Sequence, residues 1–481
     1  MENRSYALRT THYALLIGVA VAITAVALGA LVGYTGPLIA VVVLAGVAVA
    51  LWALTDLEIG LWGVIAIIAL LPFATLPVKI VFTPTFLDVA MGGVFLVYLM
   101  EWMSGRRYRL ITTPAHALIL AFIIMAVFAF IAGLRNGPLT SNLIRHFAEF
   151  ILSILFAFLI VDYVDSRTKL SRLVGVVIVC GAVAAAIGVI LWLIPEELAE
   201  RALSALRVVG YPSGGVLQYI ESNPELGQRA IGTSVNPNAF GGLLAIVGAL
   251  AAPQLTAGKP VFGRRWVWAV AFVIIVVCLI LTFSRTAMAG LVIAVLGLAA
   301  ARYRKLLAVL LIGGLIILFL PVTEDYVSRF VEGAQGADLA TQMRFGEYKD
   351  AFILLSRYPA IGVGFAGAPD IDIYLGVSNA YLAIAQEMGF VGLAIFLIAL
   401  AVVFGWAFDH RRQAYADPAL ESLFLGLHSA IVAALVVGVG DHYFVNLDFQ
   451  PAQTIFWLMI GLALAATRLA SLAGADANYS V

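Results

Sequence analysis

Four groups of residues in this chain have types and spacings that could do chemistry. The first is Gln228-Arg229-Ala230-Ile231-Gly232-Thr233-Ser234-Val235-Asn236-Pro237-Asn238, a polar stretch running into an apolar one. Asn-Pro favours a turn, and a helix opening there presents free N–H groups, beside Arg229, to an anion. A capped helix start next to a solvated arginine accounts for the same residues. The second is Thr282-Phe283-Ser284-Arg285-Thr286, almost the whole connection between two apolar runs. Arg285 either snorkels to an interface there or aims its guanidinium at a phosphate. The third is Met343–Ser356, where Tyr348, Ala351, Phe352 and Leu355 make a helical stripe. Arg344 lies one turn before Tyr348 on that face, paired with Glu347 or turned to an anion. The fourth joins Tyr358-Pro359-Ala360-Ile361-Gly362-Val363-Gly364-Phe365, Ser378-Asn379-Ala380-Tyr381-Leu382 and Gln386-Glu387-Met388-Gly389. Glu387 falls about two turns into an apolar run, and a carboxylate inside a membrane is a functional candidate by default. Structural pairing within a bundle is its alternative.

Three smaller signals are weaker. Asp370-Ile371-Asp372 has the form of a metal-binding Asp-x-Asp, a pattern common by chance. Asp441-His442-Tyr443 supplies either a base or a solvated loop. Arg145 and Glu149, spaced i, i+4, read first as a structural pair.

The elements that must hold these groups are membrane helices. The 481 residues are 63% hydrophobic and 12% charged, with mean hydropathy +1.04. Soluble domains carry roughly 45–50% apolar and about 25% charged residues. Lys+Arg 28 balances Asp+Glu 28, so no basic footprint for nucleic acid exists. A soluble enzyme, a disordered chain and a nucleic-acid binder are therefore excluded. About fourteen apolar runs, each long enough to span the hydrocarbon core, fill the chain. The first runs near Tyr13–Tyr34, the second Pro37–Leu54, and the last Pro451–Thr467. The fold expected is all-α: one polytopic bundle over 1–481, with no separate soluble domain. Cys180 and Cys278 lie inside apolar runs and read as small buried side chains.

Alternate short loops are basic: Arg106/Arg107/Arg109, Arg167/Lys169/Arg172, Lys259/Arg264/Arg265, Arg302/Arg304/Lys305 and Arg411/Arg412. The positive-inside rule puts them, and both termini, in the cytoplasm. Two long connections, 195–238 and 321–378, then face outward with short amphipathic helices, one near 341–356. They carry Arg201, Arg207 and Arg229, and Arg329, Arg344 and Arg357. Loops of this length are uncommon unless functional.

Taken in order, Arg-x-x-Gly-Thr-x-x-Asn-Pro-Asn, Ser-Arg opening a span, Arg before an amphipathic helix and Pro-x-x-Gly-x-Gly, then Ser-Asn-x-Tyr-Leu with Glu-x-Gly, resemble the O-antigen ligase/polymerase family. The resemblance covers roughly Arg229 to Gly392. It implies a C-type membrane glycosyltransferase that is inverting and metal-independent, with no cofactor, in the bacterial cytoplasmic (inner) membrane. Its donor is an undecaprenyl-diphosphate-linked glycan at the outer face, and its acceptor a glycan or lipid. On that reading Arg229, Arg285 and Arg344 hold the diphosphate without a metal. Asn236, Asn238, Ser378, Asn379 and Tyr381 position substrate, and Glu387 is a base or an orienting group. Family ligases carry a histidine just before Asn-x-Tyr-Leu, where this chain has Ser378. That tilts the expectation toward a polymerase, with a ligase for a lipid or protein acceptor as the alternative. A flippase of lipid-linked precursors and an inactive scaffold are the competing classes.

Overall fold

A computed structural model describes residues 52, 54–77, 79, 82–105, 110–258, 260–261, 263–318, 339–367 and 376–479. Its helices are α1 (Leu57–Leu70), α2 (Phe86–Met103), α3 (His116–Gly133), α4 (Ser141–Tyr163) and α5 (Arg167–Leu193). After these come α6 (Glu196–Ala205), α7 (Pro237–Ala251), α8 (Arg265–Leu281), α9 (Arg285–Ala301) and α10 (Lys305–Leu318). The last four are α11 (Leu339–Arg357), α12 (Ala380–Ala416), α13 (Pro418–Gly440) and α14 (Gln450–Tyr479). Eight of these helices are long and apolar enough to cross a membrane, and α1, α8, α9 and α10 are shorter apolar helices. Together they occupy the twelve later runs of the sequence. The first two runs lie, but for Trp52 and Leu54, outside the described residues.

Local chemistry explains where the helices start. Thr85 and Asp88 form a reciprocal capping box on α2, and Thr140 and Ser166 cap α4 and α5 with their hydroxyls. Asn236-Pro237 and Asp417-Pro418 combine a side-chain cap with proline in the first turn of α7 and α13. Several helices begin or end in polar turns beyond their apolar runs. α4 starts at Ser141 rather than near Phe147, and α12 continues to Ala416 rather than stopping near Phe404. Apolarity sets the span, whereas capping sets the helix end.

Burial separates a centre from a rim. The membrane-length segment of α14 is 89% buried and that of α7 83%, against 28% for α2. Aromatic side chains such as Phe122, Phe396, Phe444 and Phe456 fill the centre. Leu96, Ile124, Val273 and Leu311 point outward from rim helices, as lipid-facing helices require.

Contacts between helix ends distinguish two ends of the bundle. At one, Arg167 pairs with Asp417, and Arg302 with Glu421 at 2.9 Å. These two basic connections therefore share an end with the α12–α13 turn. At the other, Trp192 donates to the Gln228 carbonyl, and the Arg229 Nε donates to the Thr282 carbonyl at 2.8 Å.

The 195–238 connection sits at that second end. It contains α6 and a two-stranded antiparallel hairpin, β1 (Gln218–Tyr219) with β2 (Gln228–Arg229). Leu191, Ala199, Leu203, Val216, Leu217 and Ile231 make a small core of their own there. In the 321–378 connection, α11 covers the expected amphipathic segment, with one correction. Ala351, Leu354 and Leu355 are buried while Phe352 is exposed, so Phe352 leaves the predicted stripe. Arg329 and Asp370-Ile371-Asp372 lie outside the described residues.

Candidate active site

Every expected site residue is found at the end of the bundle that holds the 195–238 connection. Arg229 is half-buried, and besides its bond to Thr282 its Nη2 donates to the Asn238 Oδ1 at 2.8 Å. Asn236 caps α7 by accepting from the Asn238 and Ala239 N–H groups. These two asparagines thus shape the loop that carries Arg229. The α8–α9 connection is only Thr282-Phe283-Ser284, with Phe283 at φ 54, and Arg285 is the first residue of α9. Arg229 and Arg285 are therefore brought to the same turn from positions far apart in sequence. A cation at a helix N-terminus works against the helix dipole, so Arg285 is placed there at a cost.

Packing joins the third arginine to this turn. Gly440, at the end of α13, lies so close to Thr286 that a Cβ on it would stand 2.2 Å from the threonine methyl. The next residue, Asp441, feels the charge of Arg344 on α11. Burial pushes the Asp441 carboxyl above the usual carboxylate range, Glu347 pushes the same way, and His442 and Arg344 pull it down. Glu347 does not pair with Arg344 as the sequence alternative supposed. It accepts the Ser378 N–H at 2.8 Å, while the Tyr348 hydroxyl donates to the Ser378 carbonyl at 3.4 Å. The backbone of Ser378 thus straps α12 to α11.

Asn379 caps α12, accepting from the Tyr381 and Leu382 N–H groups, and its amide donates to the Val439 carbonyl at 2.8 Å. The Tyr381 hydroxyl donates to the Leu435 carbonyl. Asn379 and Tyr381 therefore direct their polar groups to the backbone of α12 and α13. Their geometry sets the position of Ser378 and Glu387.

Beyond Glu387 the helix α12 is broken at Gly389, φ 67, and the Pro-x-x-Gly-x-Gly segment inserts beside the break. The Val363 and Gly364 N–H groups donate to the Gln386 and Glu387 carbonyls, at 2.8 and 2.9 Å. Gly362 and Gly364 both have positive φ and both abut backbone, Gly364 against Gly133 of α3. Only glycine satisfies both demands. The sequence pattern is a structural lock that fixes the level at which Glu387 sits.

Glu387, Ser378 and Glu347 line a cavity of about 600 Å³. His146, His442 and Asp448 line it too. His146 was missed in the sequence because it stands in the polar first turns of α4, ahead of the apolar run. Its Nδ1 lies 3.3 Å from the Glu149 Oε2, and Glu149 is buried. Glu149 Oε1 is also ion-paired with the Arg145 Nε, 2.6 Å away, and Arg145 reaches Asp88 at 3.2 Å. The Arg145–Glu149 pair is thus real, and it carries a histidine. Among the described residues no cluster of three or more His, Cys, Asp or Glu side chains is placed to hold a metal ion.

Part of this end of the molecule is similar to a known family. Residues 270–397 match the family described as O-antigen ligase. This stretch is similar to O-antigen ligases. It runs from within α8 to just past the break in α12, and contains Arg285, Arg344, Ser378, Asn379, Tyr381 and Glu387. Arg229, Asn236 and Asn238 precede it, although the structure ties them to its Thr282. None of the curated proteins compared matches the chain. The similarity, with the eight helices long and apolar enough to cross a membrane, points to a multi-pass membrane protein.

Proposed function

We propose that the protein is an inverting glycosyltransferase of the bacterial inner membrane that acts at the outer face. Its donor is a glycan on undecaprenyl diphosphate, and it needs no metal. One observation carries the reading most. Arg229 is bound to the turn that carries Arg285, Asp441 feels the charge of Arg344, and a cavity of about 600 Å³ is lined by the neighbouring Glu347 and His442. Attack at an anomeric carbon expels a diphosphate, and the charge gathering on that leaving group must be met in a site of low dielectric. Guanidinium forks do this by paired hydrogen bonds. Arg229, Arg285 and Arg344 take this role. Glu387, in the cavity wall, orients sugar hydroxyls by accepting their hydrogen bonds.

The membrane supplies proximity, because a lipid tail lying between helices delivers its diphosphate to the bundle end at fixed depth. A cavity of this size admits the reacting sugars and leaves the rest of the glycan outside. Ser378 at the position where family ligases carry histidine favours polymerisation onto a glycan acceptor over transfer to a lipid or protein.

The purified protein, given lipid-linked oligosaccharide in vesicles, is expected to yield longer or transferred glycans with release of the lipid diphosphate. Movement of the substrate across the bilayer with no new glycosidic bond would make the protein a flippase. Neither outcome would make it a scaffold.

A further inference from the structure

Transfer to a hydroxyl needs a group that takes the hydroxyl's proton, and a positioned side chain doing so contributes typically 10²–10⁴-fold. The cavity wall offers few acceptors besides Glu387, whose role in the reading above is to orient sugar hydroxyls. Glu347 already receives the Ser378 N–H. Asp448 is largely exposed, and a solvated carboxylate is a weak base. His442 stands 3.6 Å from Asp441, whose carboxylate also answers to Arg344. His146 has the fuller arrangement. Its Nδ1 edge faces the buried Glu149, which is itself held by Arg145, and Arg145 is held by the capping-box residue Asp88. A carboxylate on the Nδ1 side, 3.3 Å away, favours the proton there and leaves Nε2 to accept. The other side of the ring looks across to Asp448, 3.8 Å from Nε2, in the cavity wall.

We propose that His146, oriented by Glu149, is the general base for the acceptor hydroxyl. This rests on the glycosyltransferase reading above. The acceptor oxygen forms the new bond to the anomeric carbon as its proton passes to His146 Nε2. The bond from that carbon to the diphosphate oxygen breaks, and its electron pair leaves with the diphosphate. Glu149 stabilises the imidazolium so formed, and the proton then passes to water. His146 is the catalytic residue and Glu149 a positioning residue. The device stands on α4, outside the segment 270–397, so a serine at 378 leaves the site its base.

The test uses the full chain in vesicles with lipid-linked oligosaccharide. His146→Gln is expected to lower kcat by about 10²-fold or more with the donor KM little changed. His146→Ala should regain part of the lost rate with exogenous imidazole. Glu149→Gln should lower kcat in the wild-type background but add little to His146→Gln, as expected for groups acting as one unit. A purely structural ion pair would give losses that imidazole does not rescue. Membrane-inserted protein is quantified for each variant, so a variant that fails to insert is replaced by the imidazole series on His146→Ala. Retention of wild-type kcat by His146→Gln overturns the inference, as does a larger loss in His442→Gln than in His146→Gln. If the wild-type protein forms no glycosidic bond, the function reading itself falls, and the two failures are told apart by that first measurement.

Discussion

Arg285 shows what a single residue must do at this site. It opens α9 at the end where a helix repels a cation. Interfacial anchoring is served equally by lysine, because both side chains snorkel. Gripping two diphosphate oxygens is not, because lysine keeps the charge and loses the planar fork. Arg285→Lys is therefore expected to cost nearly as much as Arg285→Ala, on the order of 3 kcal/mol or about 10²-fold in turnover. Turnover of lipid-linked donor at equal membrane-inserted protein decides it, and near-wild-type turnover by the lysine variant returns Arg285 to an anchor. Ser378 is the opposite case. Its N–H and carbonyl do the strapping of α12 to α11, and alanine keeps both. Ser378→Ala should change kcat less than 10-fold, well short of the loss of a general base. A 10²-fold fall would move the base to Ser378.

At the scale of elements, the break in α12 and the inserted Pro359–Phe365 segment are one unit. Its glycines are needed for space as well as for φ. A Cβ on Gly364 would stand 2.4 Å from the Gly133 Cα and 2.5 Å from the Ala129 carbonyl, at φ +79. Gly364→Ala is expected to destabilise by about 3 kcal/mol, from backbone strain and overpacking together. Gly346 on α11 has nothing within 4 Å of a Cβ, so Gly346→Ala should stabilise by roughly 0.5–1 kcal/mol through helix propensity. Thermal unfolding in detergent separates the two. Equal behaviour would remove the lock, and with it the account of how Glu387 is held at the cavity.

At the scale of the molecule, the reading needs the site end to face outward. Asn223 lies exposed in the 195–238 connection, and Ser104 caps the far end of α2. Single cysteines in a background lacking Cys180 and Cys278 should label with an impermeant thiol reagent in intact cells at Asn223 and not at Ser104. The reverse pattern inverts the topology and denies the site its outer-face donor. The ion pairs Arg167–Asp417 and Arg302–Glu421 hold two of the basic connections and the α12–α13 turn at one end.

The amino-acid sequence by itself determined the all-α membrane class and the places of twelve apolar helices, eight of them long enough to cross a membrane. These follow from hydropathy and from capping residues, which act over one helix at a time. It also marked Arg229, Arg285, Arg344, Ser378 and Glu387, because polar residues stand out where everything around them is apolar. Only the tertiary structure decided what those residues touch. Arg229 meets Thr282 and Gly440 meets Thr286 across separations no local pattern encodes. Glu347 turned from Arg344 to the Ser378 backbone for the same reason. His146 entered the cavity from α4 because helix packing, which depends on the fit of whole surfaces, chose which polar turn faces it.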